Sequence, residues 1–251
     1  MTTSRLRSFV SHASAALAIA AAMLFSSPLP ASAQPPGQVP ARIPDTLEQR
    51  IAACIACHAP KDTAGASAGG VYFPRIAGKP AGYLHNQLLN FREGRRQYPL
   101  MTWMVNHLSD PYLHEIAEYF ASQHPPVPVP PPPREAEAVL ARGEQLVRRG
   151  DQALKVPACA ACHGERLGGI APGIPGLLNL PRDYVNAQLG AWRNRVRRAR
   201  APDCMATVAA RLSPGDVAAI SAWLAAQPTP PDLRPLDRPA HPLPLDCGSA
   251  P

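Results

Sequence analysis

Cys54-Ile55-Ala56-Cys57-His58 and Cys159-Ala160-Ala161-Cys162-His163 are the two stretches on which the reading of this chain turns. Each sets two cysteines three residues apart with a histidine directly behind the second. On a helical turn both thiols then face one side, with an imidazole beside them. The surroundings of the two stretches agree as well, and in the same order. Pro74-Arg75-Ile76-Ala77-Gly78 matches Pro172-Gly173-Ile174-Pro175-Gly176. Tyr83, Gln87, Leu88, Phe91 and Arg92 match Tyr184, Gln188, Leu189, Trp192 and Arg193. Met101, Leu108, Ser109, Ile116, Tyr119 and Phe120 then match Met205, Leu212, Ser213, Ile220, Trp223 and Leu224 without a gap. Matching order over such a length marks a tandem duplication.

The pentapeptide names a cofactor. Its two thiols can each add to one vinyl group of haem, and the histidine offers a ring nitrogen to the iron from the same face. Cys54, Cys57, Cys159 and Cys162 are therefore the expected covalent anchors of two haem c groups (iron), with His58 and His163 as axial ligands. Other uses of paired cysteines fit less well. A thioredoxin-like site wants a βαβ setting, a four-cysteine zinc site needs the two pairs to converge, and a disulfide within each pair closes a strained short loop.

A low-spin electron-transfer haem wants a soft sixth ligand. Met205 is the one methionine of the second half, 42 residues after His163, and Met101 stands opposite it, 43 residues after His58. Met104 is the rival by spacing, with core filler as its other role. His85, His107 and His114 lack counterparts in the second half and read as surface histidines. Pro74 and Pro172 are expected to lend carbonyls to the proximal histidines. Tyr83, Tyr184, Phe91 and Trp192 read as haem-packing core, and Arg92 and Arg193 either as propionate partners or as solvated side chains.

The fold expected from these windows is all-α: two tandem cytochrome c domains joined by a Pro-rich linker. Ser109 and Ser213 sit where N-caps belong, with Pro214 at the first helical position and Asp216 placed for a capping box. Residues 34–124 form the first expected domain, 125–133 a semi-rigid spacer, 134–227 the second domain and 228–251 a proline-rich tail. Each half is too small to be comfortably stable without a staple or a cofactor. Cys204 and Cys247 remain, and in an oxidising compartment an even remainder suggests a bridge.

Residues 1–33 read as a signal peptide, with Arg5 and Arg7, an apolar run from Ala15 to Phe25, and Ala31-Ser32-Ala33 as the cleavage site. The periplasm is the expected location. Losing that segment removes two arginines and no acids, so the net charge falls from +7 to +5. Arg193, Arg195, Arg197, Arg198 and Arg200 concentrate the excess. No nucleic acid partner is expected of an exported protein; an acidic docking surface or anionic lipid suits the charge better, and a solvated basic helix face suits it equally.

With these motifs in place the chain resembles the cytochrome c4 family over about residues 45–227. The carriers are both Cys-x-x-Cys-His motifs, the Pro-x-Ile-x-Gly turns, the Tyr-x-x-x-Gln-Leu helices, and the segments Met101–Ser109 and Met205–Ser213. The resemblance implies a dihaem electron carrier between redox proteins, from quinol-oxidising complexes towards a terminal oxidase, with loose membrane association. The longer proline-rich linker and the Cys204 and Cys247 additions depart from the family pattern. They leave room for a second role as the cytochrome subunit of a periplasmic dehydrogenase. A dihaem enzyme such as a peroxidase would need a vacant iron face or acid–base groups, and the sequence shows no such constellation, so no enzyme activity is expected.

Overall fold

The computed structural model describes residues 45–58, 67–68, 71–126, 134–230 and 232–250. The expected signal peptide and most of the 125–133 spacer lie outside the described residues. In chain order the elements are α1 (Leu47–His58), β1 (Ser67–Ala68), β2 (Val71–Tyr72), α2 (Ala81–Arg92), α3 (Pro99–Val105), α4 (Asp110–Ala121), α5 (Glu137–Arg148), α6 (Cys159–His163), β3 (Gly169–Ile170), β4 (Ile174–Pro175), α7 (Arg182–Arg193), α8 (Cys204–Arg211) and α9 (Pro214–Ala226). The architecture is all-α apart from two minimal antiparallel pairs, β1 with β2 and β3 with β4. Among the described residues no helix is long and apolar enough to cross a membrane.

The second half is built on the crossing of α5 and α9. Leu146, Val147, Ile220 and Leu224 are buried there with Leu167 and Leu212. Gly143 lets the two helices approach: a Cβ at this position would lie 2.2 Å from the Ala219 carbonyl oxygen and 2.6 Å from Trp223 Cβ. Gly143→Ala should therefore destabilise the protein by about 1–3 kcal/mol or more, since the obstacle is backbone rather than a movable side chain. A urea midpoint lowered at unchanged slope would register it. The first half has two smaller clusters, Ile51, Leu84, Ile116 and Phe120 in one and Leu89, Phe91, Val105 and Leu113 in the other.

The caps before α4 and α9 differ. Ser213 accepts from the Asp216 amide, and Asp216 accepts from the Ser213 amide at 3.0 Å and hydroxyl at 2.6 Å, completing the expected box. Ser109 holds the matching place without a side-chain cap bond. Three residues on stands Tyr112, which offers no carboxylate to close a box. Burial pushes the Asp216 carboxyl up, but the Ser213 bonds and Arg142, 2.8 Å away, outweigh it and hold the group below the usual carboxylate range. A depressed carboxylate stabilises the fold above its unfolded pKa, about 3.9, and that contribution fades as pH falls through the lower folded value. Denaturant titrations at neutral and acid pH should show Asp216→Asn losing less stability on acidification than the parent.

Beyond α9 the chain has no further helix or strand among the described residues. It returns over the second half, where the Leu236 amide donates to the Gly169 carbonyl and its own carbonyl accepts from the Ala171 amide. Cys204 and Cys247 are disulfide-bonded, with their Cα atoms 5.1 Å apart.

Candidate cofactor sites

In the second half the chemistry converges. α6 carries Cys159, Cys162 and His163, α8 carries Met205 as its second residue, and all four line one cavity of about 180 Å3. Leu180, Leu189, Val208 and Ile220 give that cavity apolar walls. His163 is buried with Nδ1 2.7 Å from the Pro175 carbonyl oxygen. That contact makes Nδ1 the protonated donor and leaves Nε2 free to ligate. Burial pulls the imidazole below its usual pKa against the Pro175 bond, and the Lys79 charge adds to it. Burial also drives the Cys159 thiol up to about 12 and raises that of Cys162.

The first half repeats the arrangement at the end of α1. His58 Nδ1 lies 2.8 Å from the Pro74 carbonyl oxygen, burial lowers its pKa, and burial raises that of Cys54. Cys57 is half-buried beside it. Met101 and Met104 both pack against the cluster of Leu89, Phe91, Val105 and Leu113. Met101 precedes the Ser109 cap by the same eight residues that separate Met205 from Ser213, whereas Met104 falls one turn later. None of the four motif cysteines is tied up in a disulfide. Among the described residues no three His, Cys, Asp or Glu side chains gather to hold a bare metal ion.

One expectation is corrected. Pro175, not Pro172, lends its carbonyl to His163; the Pro172 carbonyl accepts the Tyr83 amide at 3.0 Å. The gapless register from Tyr83 and Tyr184 pairs Pro74 with Pro175, and it also pairs two left-handed residues, Gly78 at φ 73° and Asn179 at φ 58°. Matching the Pro-x-Ile-x-Gly strings by composition had shifted this turn by three residues.

The two halves meet through a pseudo-symmetric cluster that the sequence reading missed. Arg96 donates to Gln87 Oε1 (3.1 Å), Gln188 Oε1 (3.0 Å) and Tyr184 Oη (3.0 Å), while Arg197 donates to Gln188 Oε1 (2.7 Å) and Gln87 Oε1 (3.0 Å). Arg96 lies over the Phe91 ring and Arg197 over the Trp192 ring, 4.7 and 3.8 Å from the centroids. Arg197 is only 5% exposed. Burial and the like charge of Arg96 bring it down to about 10, so it remains a cation at neutral pH. Neither arginine has a carboxylate partner among the described residues. Arg92, by contrast, is tied to the Leu108 carbonyl and Asp110, and Arg193 makes no side-chain hydrogen bond or ion pair among the described residues. Continuing the register past Arg92 and Arg193 would have aligned Arg96 with Arg197.

These residues fit haem c. Two thiols, a nitrogen free for iron and a thioether face one apolar cavity, and Lys79, Tyr83 and Gln87 of the first half reach the same cavity. Trp192 also lines it, and its buried Nε1 has no hydrogen-bond partner among the described residues. An anionic edge of a cofactor would satisfy that N–H and offset the buried guanidinium charge.

Comparison with known proteins agrees. The family model described as Cytochrome c matches residues 140–227. The thiosulfate dehydrogenase electron acceptor of Thiomonas intermedia (strain K12) is 34% identical over 219 residues, covering 86% of this chain and 91% of that protein. The crystal structure of reduced recombinant cytochrome c4 from Pseudomonas stutzeri superposes with a TM-score of 0.57 at 31% identity, over 71% of this chain and 95% of that one. The chain belongs to the cytochrome c4 family. Thiosulfate dehydrogenase TsdBA from Marichromatium purpuratum also superposes, with a TM-score of 0.60 at 29% identity over 70% of this chain, but the match spans only 36% of that longer chain.

As a cytochrome c4 this is an electron-transfer protein with two covalently attached haem c groups. Haem c, when bound, supplies one-electron iron chemistry. The cytochrome's own residues fix each imidazole by a backbone carbonyl, wall the second-half cavity with aliphatic side chains, and place one buried and one half-buried guanidinium, Arg197 and Arg96, at the seam. The disulfide holds the tail against the cavity of the second half, which Leu245, Cys247, Ser249 and Ala250 help to line. Cys247→Ser opens a loop with a sequence separation of 43 residues. By loop entropy this should lower stability by about 4 kcal/mol, read as a fall in Tm that dithiothreitol reproduces in the parent.

Proposed function

We propose that this cytochrome is an exported relay that accepts electrons from a thiosulfate dehydrogenase and passes them towards a terminal oxidase. His58 with Met101 and His163 with Met205 ligate the two irons, and the thioethers come from Cys54 and Cys57 and from Cys159 and Cys162. Residues 1–33 direct export to the periplasm, 34–124 and 134–227 are the haem domains, 125–133 is the spacer and 228–251 the tail. The observation that carries the donor assignment is the 34% identity, along nearly the whole of both chains, to a protein named as the electron acceptor of thiosulfate dehydrogenase. It favours that donor over a quinol-oxidising complex. His163 and Met205 lining one cavity support the ligand set.

The test mixes oxidised holoprotein with purified thiosulfate dehydrogenase and thiosulfate, and follows the haem absorbance. The reading expects two electrons taken up per chain, dependent on both dehydrogenase and thiosulfate. Reduction by a quinol-oxidising complex with none by the dehydrogenase would refute the donor.

A further inference from the structure

Five large apolar side chains are exposed among the described residues, and four of them fall in two short segments: Tyr98 (43%), Leu100 (47%) and Trp103 (71%) in one, Val196 (47%) in the other. An antiparallel bridge between Arg96 and Arg197 sets these segments side by side, with the Arg198 amide donating to the Arg95 carbonyl at 2.7 Å. Leu100 and Trp103, three apart on α3, form its outer face, while Met101 and Met104 pack inward. The second segment adds Arg195, Arg198 and Arg200, all exposed, whose side chains make no hydrogen bond or ion pair among the described residues. Nearby acids are already engaged: Glu93 with Arg95, Asp110 with Arg92, and Asp203 as the α8 cap. Arg195 moreover sits at φ 57°, where its counterpart Gly94 sits at 72°. Holding a side chain in that region costs about 1 kcal/mol, which glycine would avoid.

We infer that this strip is a docking face for the acidic surface of a partner electron-transfer protein, which delivers its electron to the first haem beside α3. The inference rests on the donor reading above and names the surface that donor would use. Exposed Trp and Tyr edged by arginine are the residue types that protein-binding hot spots favour. The unpaired cations select a negatively charged face and speed encounter. A lipid surface suits the strip less well, because α3 has seven residues, short for an interfacial anchor, and the strip holds no lysine. A partner over Trp103 lies within about one helix diameter, ~10 Å, of Met101. One electron passes from the partner's reduced metal centre to a ferric haem of this chain, which becomes ferrous; no bond is made or broken.

The test compares the parent with Trp103→Ala and with Arg195→Glu/Arg198→Glu, each as intact holoprotein with an unchanged haem spectrum. Reduction by reduced thiosulfate dehydrogenase should slow about tenfold in each variant, and the charge reversal should flatten the fall of rate with salt. Reduction by hydroquinone, a small neutral donor, should stay the same. Equal rates with the dehydrogenase would overturn the docking face while leaving the donor reading intact. If the dehydrogenase reduces not even the parent, the donor reading fails, and a carboxylate-terminated gold electrode then decides for the surface. Faster, salt-sensitive interfacial transfer in the parent than in the variants upholds the face, and equal transfer overturns it. Loss of binding to phosphatidylglycerol vesicles in the variants, with protein and electrode rates unchanged, would also overturn it.

Discussion

Replacing Cys159 and Cys162 together by alanine is expected to leave one haem per chain and to undo the second half. In the proposed ligand set Cys159 and Cys162 hold that haem covalently, and without them His163 and Met205 would remain as two isolated ligands on an apolar wall. Left unfilled, a cavity of about 180 Å3 costs about 4 kcal/mol at ~24 cal/mol per Å3. Against a total stability of about 5–15 kcal/mol for a domain of this kind, that is a large fraction. The loss spreads to the seam, because Lys79, Tyr83 and Gln87 of the first half share the cavity and the Tyr83 amide is bonded to Pro172. Haemochrome absorbance per chain should halve, and thermal melting should shift far down. Two haems per chain, or an unchanged Tm, would show that the cavity is not the haem site.

Arg197→Leu should lower the potential of the second haem more than that of the first. Ferric haem carries one more positive charge than ferrous haem, so a buried cation nearby disfavours oxidation. Removing the cation therefore stabilises the ferric form. With Arg197 buried and lining the cavity wall, the change should be about 1–2 kcal/mol, or roughly 40–90 mV for one electron. Arg197→Lys keeps the charge but not the fork that bonds Gln87 and Gln188. It should retain most of the potential while loosening the seam. A spectroelectrochemical titration resolves the two midpoints, and unmoved midpoints in Arg197→Leu would remove this residue from the haem environment.

Much of this was legible in the residues alone. A pentapeptide that fixes two thiols and an imidazole on one helical turn is a local signal, and so are the Ser213 and Asp216 cap and the helix periodicity. The seam was not legible, because its meaning is non-local. Arg197 reads in sequence as one of five arginines in a solvated run, and only the antiparallel pairing with Arg96 turns it inward while Arg195 and Arg198 stay outside. The His163 carbonyl partner was misread for a related reason. Pro172 and Pro175 are both turn prolines near the motif, and backbone register rather than composition separates them. Met101 and Met104 share one cluster, and only the spacing to the next helix cap distinguishes them.

The whole account depends on both irons being held by imidazole and thioether. Near-infrared magnetic circular dichroism of the oxidised holoprotein, with Met101→Ala and Met205→Ala beside it, tests this most directly. The account predicts two thioether-to-iron charge-transfer contributions, one lost in each variant. A high-spin or bis-histidine haem in the unmodified protein, or a Met101→Ala spectrum matching the parent, would contradict it.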